Sequence, residues 1–286
     1  MPRFLAAGHV TRDRYQGGDL LGGTVSYAAR AVQRLGWQIG ALTAAGPDFD
    51  AASELPGIES FVQRSAATTR FENVYEADGT RHQRLLARAA PIGSDGLPEA
   101  WRSPDVLLLG SVADEIPRGF VEGFTAGVVG ATGQGWLRQF AADGRVSPRH
   151  WSDPGHDLPG VHVLFLSLHD VGGHRREAEA LLAHVPVIAL TQGWQGLELL
   201  TRDGCQFVPS LPREEVDPTG AGDVFAAAFL VRYHESQDLL EAAAFAACAA
   251  SCVVEGVGTS TLGDRAEVER RLAQRERLIE EGEWDE

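Results

Sequence analysis

A short glycine-rich turn directly before an apolar segment carries the residues of this chain that are best suited to chemistry. Residues 217–223 have the sequence Asp-Pro-Thr-Gly-Ala-Gly-Asp, and the apolar residues 224–233 follow at once. Small residues let backbone N–H groups approach an anion, and a helix N-terminus adds partial positive charge. Because a carboxylate there would repel a bound phosphate, Asp223 is expected to handle a proton. An anion site beside a base is the minimum needed to move a phosphoryl group onto a hydroxyl.

An ordinary helix cap is the alternative explanation of the same turn. Asp and Thr before an apolar run, with glycine nearby, are also a usual way to start a helix. The local pattern leaves both explanations open, so the rest of the chain has to decide between them.

Composition limits the classes of protein and of partner. The chain has 286 residues, of which 44% are hydrophobic and 23% charged, as in a soluble globular protein. A formal net charge of -15 opposes binding to nucleic acid or to an anionic membrane. With no basic run, signal-peptide pattern or long apolar stretch, a cytoplasmic protein is expected. The three cysteines are too few and too dispersed for a disulfide framework.

Lysine is absent, since all 25 basic residues are arginine. This excludes chemistries that need a lysine, namely the P-loop and protein-kinase phosphate sites, pyridoxal phosphate attachment and Schiff bases. Asparagine is nearly absent as well, because Asn73 is the only one. Positions at which an asparagine might be expected are therefore filled by other residues.

The hydrophobic pattern alternates between strands and helices along the chain. Strands are predicted at residues 3–8, 37–43, 105–110, 127–131, 161–168 and 185–191, with a hairpin at 197–208. Helices are predicted at residues 24–35, 175–184, 224–233, 238–255 and 264–281, the last one exposed and charged. This alternation predicts a largely parallel sheet covered on both faces.

A polar hairpin at residues 67–90 interrupts the alternation. Residues 68–76 and 81–88 have the strand pattern, and residues 77–80 form the turn between them. Together with the polar link at residues 11–20, the hairpin is predicted to form a small sheet that acts as a lid. The chain as a whole is predicted to form one domain over residues 1–286.

Three motifs, in this order, resemble those of the ribokinase-like (PfkB) carbohydrate kinases over nearly the whole chain. They are the Gly22 and Gly23 pair before a small-residue helix, the Thr-Gln-Gly-Trp-Gln-Gly segment at 191–196, and the segment at 217–223. The last motif is highly specific, whereas the other two alone are weak. The resemblance implies an α/β fold, a three-layer α/β/α sandwich with a mostly parallel central sheet and a small β-sheet lid.

The resemblance also implies roles for individual residues. Asp223 would be the catalytic base that takes the proton of the acceptor hydroxyl, and the amides of Gly220, Ala221 and Gly222 would stabilise the transferred group. The implied acceptor-binding residues are Asp13, Gly22, Gly23, Tyr27 and Arg138. The implied nucleotide-binding residues are Thr191, Gly193, Gly196, Ala247, Val257 and Gly258.

The chain departs from the family pattern at the metal site. ATP and Mg²⁺ are the implied cofactors, and a need for K⁺ is left open. The N-x-x-E segment that orders magnesium-bound water falls on Ser167-Leu168-His169-Asp170, and an asparagine of the family falls on Tyr27. Asp170 is still an oxygen ligand that suits Mg²⁺, and it is expected to act through water.

The acceptor is expected to be a small sugar or cyclic polyol. Residues 133–138 and 143–146 resemble segments of inositol-kinase-like members, although Arg138 could equally be a surface residue of a short helix. Two alternatives stay open, a nucleoside kinase of the same family and a non-catalytic ligand sensor with the same fold. A nicotinamide oxidoreductase is disfavoured because no G-x-G-x-x-G follows the first strand. The sequence is compatible with a monomer or a homodimer.

Overall fold

The computed structural model describes residues 3–15, 18–75 and 81–281, and a nine-stranded sheet forms its centre. The strands in chain order are β1 Phe4–Ala7, β2 Thr11–Tyr15, β3 Gly18–Gly22, β4 Ile39–Ala45, β5 Glu59–Arg64, β6 Thr69–Tyr75, β7 Arg81–Ala87, β8 Val106–Gly110, β9 Val128–Thr132, β10 Arg138–Phe140, β11 Val146–Pro148, β12 Val163–Ser167, β13 Val187–Thr191, β14 Gly196–Thr201 and β15 Gly204–Pro209. The α-helices are α1 Thr24–Arg34, α2 Ala51–Glu54, α3 Pro154–Asp157, α4 Arg175–Ala180, α5 Ala221–Ser236, α6 Leu239–Val253 and α7 Arg265–Glu281.

The large sheet has the strand order β15-β14-β13-β12-β9-β8-β1-β4-β5. All pairs from β13 to β5 are parallel, and only the β13–β14 and β14–β15 pairs at one edge are antiparallel. The central strands are short, wholly buried apolar runs, as strands covered on both faces must be. The predicted mostly parallel sheet is therefore confirmed.

Two hydrophobic cores lie on opposite faces of this sheet. On β1, Phe4 and Ala6 pack into one core and Leu5 and Ala7 into the other, as the two-residue strand period requires. The first core takes the apolar faces of α1, α5, α6 and α7. Short helical turns, loops and a stacked pair of indoles, Trp136 and Trp151, whose ring centroids are 5.2 Å apart, cover the other face.

A second, four-stranded sheet has the order β3-β2-β6-β7. The hairpin of β6 and β7 joins β2 in parallel, and β2 pairs with β3 in an antiparallel ribbon. The two segments predicted to form a small sheet, at 11–20 and 67–90, thus come together. We refer to these four strands as the small sheet.

The structure differs from the prediction in several elements. Strand β5 was not predicted, and residue 138 lies on β10 rather than on a short helix. Helix α7 is not simply an exposed charged helix, because its Arg271 and Arg275 are buried. The Arg271 guanidinium is satisfied by Glu255, by Glu267 and by the carbonyl of Ser251. In the described part of the chain no helix combines the length and apolarity needed to cross a membrane.

Candidate active site

Two cavities lie on either side of the turn that starts α5. The larger, of about 880 Å³, lies between the carboxyl ends of the central strands and the small sheet, and Gly220 and Asp223 line it. The smaller, of about 140 Å³, is lined by Ala221 and Gly222. Pro218 contributes to both, so the 217–223 segment forms the boundary between them.

The turn itself is held by its backbone and by an aromatic ring. Gly220 caps α5 in the left-handed region with φ 84°, and a Cβ at this position would lie 2.2 Å from two ring carbons of Tyr27. The Ala221 N–H donates to the carbonyl of Pro218 at 3.1 Å. Of the three amides predicted to bind the transferred group, that of Ala221 is therefore already engaged within the turn. Tyr27, which is only 3% exposed, supports the turn as well as lining the larger cavity.

Asp223 lies in the first turn of α5 and meets residues from two distant segments. The hydroxyl of Thr24, the first residue of α1, donates to Asp223 Oδ1 at 2.7 Å. The amide nitrogen of Gln134 donates to the Thr24 hydroxyl at 3.2 Å. Burial raises the pKa of Asp223 to about 6, with smaller contributions from Asp13 and Asp170 in the same direction and from Thr24 and Arg138 in the opposite one. A carboxylate with a raised pKa is a better proton acceptor near neutral pH.

This pKa predicts the pH dependence of any reaction that uses Asp223 as a base. The base must be ionised, so kcat/KM for the acceptor should fall about tenfold per pH unit below a pH of about 6. The measurement is kcat/KM from pH 4.5 to 8.5 at saturating donor. A profile that stays flat down to pH 5 would contradict a role for this carboxylate as the base.

Asp13 is placed in the larger cavity by the glycine pair. The Thr11 hydroxyl donates to Asp13 Oδ1 at 2.9 Å on the same strand. A Cβ on Gly22 would lie 2.2 Å from Asp13 Oδ2, so only glycine leaves room for this carboxylate. Gly23 has φ 86° and its Cβ would lie 2.4 Å from the carbonyl oxygen of His9. The glycine pair thus matters for the close approach of β2, β3 and α1.

Arg138 lines the larger cavity together with Asp13. Its guanidinium donates to the carbonyl of Val112 at 3.3 Å and lies 5.9 Å from the ring centroid of Phe71. The buried carboxylate of Glu115 holds the Val112 segment, because it accepts hydrogen bonds from the backbone N–H groups of Val112 and Ala113 and from the N–H of His9. Glu115, which sequence reasoning missed, therefore ties the ends of β1 and β8 together beneath Arg138.

Asp170 follows β12 and closes a turn onto Ser167. Its Oδ2 accepts hydrogen bonds from the Ser167 N–H at 2.9 Å and from the Ser167 hydroxyl at 2.7 Å. Within residues 3–15, 18–75 and 81–281, no group of three or more His, Cys, Asp or Glu side chains could hold a metal ion. Mg²⁺ commonly keeps several waters and binds through one or two carboxylates together with substrate phosphates. These residues fit an ion held by Asp170 and by donor phosphates, without a protein cage.

The smaller cavity has an apolar floor and one large exposed side chain at its rim. Leu197, Leu211 and Phe225 are buried and form part of the floor. Trp194 belongs to the short helical turn after β13, and 75% of its side chain is exposed. Arg213 and the buried Ser251 also line this cavity. The cavity therefore suits a flat, mostly apolar ring whose charged end points toward the start of α5.

The structure brings most of the predicted residues together. Those that line the larger cavity are Asp13, Gly23, Tyr27, Arg138, Asp170, Gly220 and Asp223. Those that line the smaller cavity are Thr191, Gly193, Gly196, Ala221, Gly222 and Ala247. Gly22, Val257 and Gly258 line neither cavity, and the roles of all these residues stay predictions. The cavity residues that were not predicted as site residues include Thr11, Asn73, Gln83, Gln134 and Trp194.

Known proteins match the chain in sequence over part of its length and in fold over nearly all of it. The model of the pfkB family carbohydrate kinase matches residues 136–265. Ribokinase from Bacillus subtilis is 39% identical over 97 residues, 34% of this chain and 33% of that protein. A nucleoside kinase from Methanothermobacter thermautotrophicus is 38% identical over 87 residues, 30% of this chain and 28% of that protein. The chain thus spans about a third of the length of these curated relatives.

The fold comparison extends over the rest of the chain. A pyrophosphate-dependent kinase in the ribokinase family, solved with a pyrophosphate analog and myo-inositol, superposes with a TM-score of 0.77 at 19% identity. The match covers 93% of this chain and 99% of that one. The structure therefore has the ribokinase-like fold, a mostly parallel α/β sheet with a small separate sheet. The match of residues 136–265 to the pfkB family carbohydrate kinase model, together with this fold, confirms the resemblance inferred from the motifs.

Proposed function

We propose that this protein is a kinase that transfers the γ-phosphoryl group of ATP to a hydroxyl of a small sugar or cyclic polyol. The observation that carries the proposal is the position of the 217–223 segment. Asp223 lines the larger, polar cavity, while Gly222 next to it lines the smaller, mostly apolar one. A hydroxyl in the first cavity and a phosphate chain entering from the second would meet at the start of α5.

The residues at the start of α5 and around it have different roles in the transfer. Asp223 accepts the proton of the attacking hydroxyl, and Thr24 holds the carboxylate in place through the 2.7 Å hydrogen bond. The helix start and the amides of Gly220 and Gly222 stabilise negative charge on the transferred group. Arg138 adds a positive charge to a cavity that also holds Asp13 and Asp170. Magnesium bound to Asp170 and the donor phosphates would neutralise charge on those phosphates.

The acceptor cavity favours a neutral molecule with several hydroxyls. Its lining combines the carboxylate of Asp13 with the side-chain amides of Asn73, Gln83 and Gln134. Such groups exchange hydrogen bonds with hydroxyls, which both donate and accept. A sugar or cyclic polyol fits this set. A nucleoside is the second acceptor class, supported by the partial match to a nucleoside kinase.

An acceptor panel tests the reaction. The protein is incubated with ATP and Mg²⁺ and with myo-inositol, other inositols, ketoses, pentoses or nucleosides, while ADP release is followed. We expect release that depends on one acceptor class, with inositols or sugars ahead of nucleosides. Binding of an acceptor without release of ADP would support the ligand sensor instead. Pyrophosphate is tested as the donor in parallel. The smaller cavity favours a donor with a nucleobase, which pyrophosphate lacks.

Trp194 provides a direct test of the donor. If the base of ATP stacks on this exposed indole, Trp194→Ala should raise KM for ATP about tenfold, because stacking contributes about 1–3 kcal/mol per base. Phe207→Ala is the matched control, since Phe207 is 56% exposed on β15 and lines neither cavity. Equal KM values for ATP in the two variants would remove Trp194 from the donor site. If the rate with pyrophosphate exceeds the rate with ATP, pyrophosphate and not ATP is the donor.

A further inference from the structure

Building on the proposed kinase function, we propose that Gln134 is a positioning residue for the base Asp223. Its side-chain amide holds the Thr24 hydroxyl in the orientation that donates to Asp223. One carboxylate oxygen, Oδ1, is committed to this contact, and the other, Oδ2, receives the proton of the acceptor hydroxyl. Gln134 therefore acts on the rate through the base and not on acceptor binding.

Three side chains form a short chain of hydrogen bonds at the start of α5. The amide nitrogen of Gln134 lies 3.2 Å from the Thr24 hydroxyl oxygen and 3.5 Å from Asp223 Oδ1. The Thr24 hydroxyl donates to the same Oδ1 at 2.7 Å. Within residues 3–15, 18–75 and 81–281, both side-chain donors to Asp223 contact Oδ1, and none contacts Oδ2. Oδ2 is thus the oxygen that can face the acceptor.

The direction of the Thr24 proton depends on the Gln134 amide. A hydroxyl has one proton and can donate it to any acceptor within reach. The amide nitrogen has only protons to offer, so the Thr24 oxygen accepts from Gln134 and its own proton goes to Asp223. The opposite orientation of the amide would place the Gln134 oxygen 3.5 Å from a carboxylate oxygen, and the two would compete for one proton. The ionised base therefore favours the orientation that fixes it.

Gln134 is placed over Thr24 by the glycines on either side of it. The Gly133 N–H donates to a carbonyl of β12 at 3.0 Å, and the Gly135 N–H donates to the carbonyl of Ser111 after β8 at 3.1 Å. A Cβ on Gly135 would lie 2.1 Å from Ser111 Oγ, and a Cβ on Gly133 would lie 2.3 Å from a leucine side chain of β12. Only glycine on both sides lets this segment approach the strand ends so closely. This explains the sequence Gly-Gln-Gly at residues 133–135.

Thr24 is held equally firmly on its other side. It is fully buried, and a Cβ on Gly110 at the end of β8 would lie 2.6 Å from Thr24 Cγ2. The Thr24 methyl group thus takes the space beside this glycine. Methyl and hydroxyl share one Cβ, so the position of the methyl group against β8 directs the hydroxyl at Asp223.

Gln134→Met, which keeps the length of the side chain and removes the amide, tests the proposal. At pH 8, kcat should fall about tenfold, as for the loss of one hydrogen bond to a charged group, while KM for the acceptor and for ATP stays unchanged. A hydrogen bond to the ionised carboxylate lowers its pKa, so the acidic limb of the pH profile should move to higher pH in the variant. The substitution leaves in place the other titratable groups that line the cavity with Asp223, namely Asp13, Tyr27, Arg138, His169 and Asp170. An acceptor-binding role would instead raise KM for the acceptor and leave the limb where it is.

Gln139→Met is the matched control, because Gln139 is exposed on β10 and lines neither cavity. It should keep the wild-type kcat and the wild-type limb. Thr24→Val tests the chain of hydrogen bonds, since it removes the hydroxyl and keeps the branched shape. Adding Gln134→Met to Thr24→Val should lower kcat no further, whereas losses that multiply would show that Gln134 does not act through Thr24. Circular dichroism and thermal melting check that all variants fold.

The outcomes separate this inference from the proposed function. If wild-type protein phosphorylates an acceptor but Gln134→Met keeps kcat and the limb, the positioning role is wrong and the kinase stands. If no acceptor is phosphorylated, the kinase proposal fails, and a ¹³C NMR titration of the Asp223 carboxyl, assigned with Asp223→Asn, then decides the inference. A midpoint that is higher in Gln134→Met than in Gln139→Met supports the positioning contact, and equal midpoints overturn it.

Discussion

Asp223→Asn is expected to lower kcat by about 10²- to 10⁴-fold, the usual contribution of a general base. Asparagine keeps the shape of the side chain and an oxygen that can accept the hydrogen bond from Thr24, which is 2.7 Å from Asp223 Oδ1. It cannot take the proton of the acceptor hydroxyl. The loss should therefore fall on kcat, with little change in KM for the acceptor, and the acidic limb of the pH profile should disappear. Steady-state kinetics with the best acceptor of the panel measure all three.

Thermal melting separates this loss from unfolding. Burial raises the pKa of Asp223 to about 6, from an ordinary value of 3.8, so ionising this carboxyl costs folding free energy as the pH rises through that interval. The neutral asparagine avoids this cost, and at pH 8 the variant should melt at the same temperature as wild type or higher. Asp203→Asn, in the exposed turn between β14 and β15, is the control for an ordinary carboxylate and should keep full activity. Wild-type kcat in Asp223→Asn would remove the base from the mechanism.

The fold was largely predictable because its buried strands are continuous apolar runs. The central strands and the start of α1 after the glycine pair can each be predicted from a pattern of a few consecutive residues. Strand β5 lacks such a signal, since it lies at the sheet edge and its residues are only partly buried or exposed. The buried face of α7 was missed for another reason. A helix rich in arginine is expected to be exposed. Arg271 is nevertheless buried, because its guanidinium pairs with Glu255 on the preceding loop.

The site was predictable only where its residues are neighbours in sequence. Asp223 and the glycines beside it belong to one turn, and their chemistry follows from that turn. Thr24 contacts Asp223 across 199 positions of sequence, and Asn73 meets Gln83 only through strand register. Such contacts depend on the position of the two sheets relative to each other, which cannot be predicted from residues that are neighbours in sequence. Trp194 was inside a recognised motif, but its exposure at the cavity rim was not readable from that motif.

Gly220→Ala tests the geometry of the turn independently of the base. The added Cβ would lie 2.2 Å from Tyr27 ring carbons, and φ 84° is a strained conformation for alanine. Either the ring or the turn must move, and the amides of the turn would move with it. Loss of a single preorganised anion-hole donor costs about 10²- to 10³-fold in kcat. We expect a loss of that size in kcat while Asp223 itself is unchanged.

Gly36→Ala separates the clash from the backbone strain. Gly36 follows α1 with φ 83°, and a Cβ there meets no atom of the described residues within 4 Å. Both alanine variants should therefore lose stability through the unfavourable φ, by about 1–3 kcal/mol. Only Gly220→Ala should lose kcat as well. Because the clash is with the ring of Tyr27, adding Tyr27→Leu to Gly220→Ala should recover part of that kcat. If the double variant is no more active than Gly220→Ala, then contact with Tyr27 is not what places the anion-binding amides.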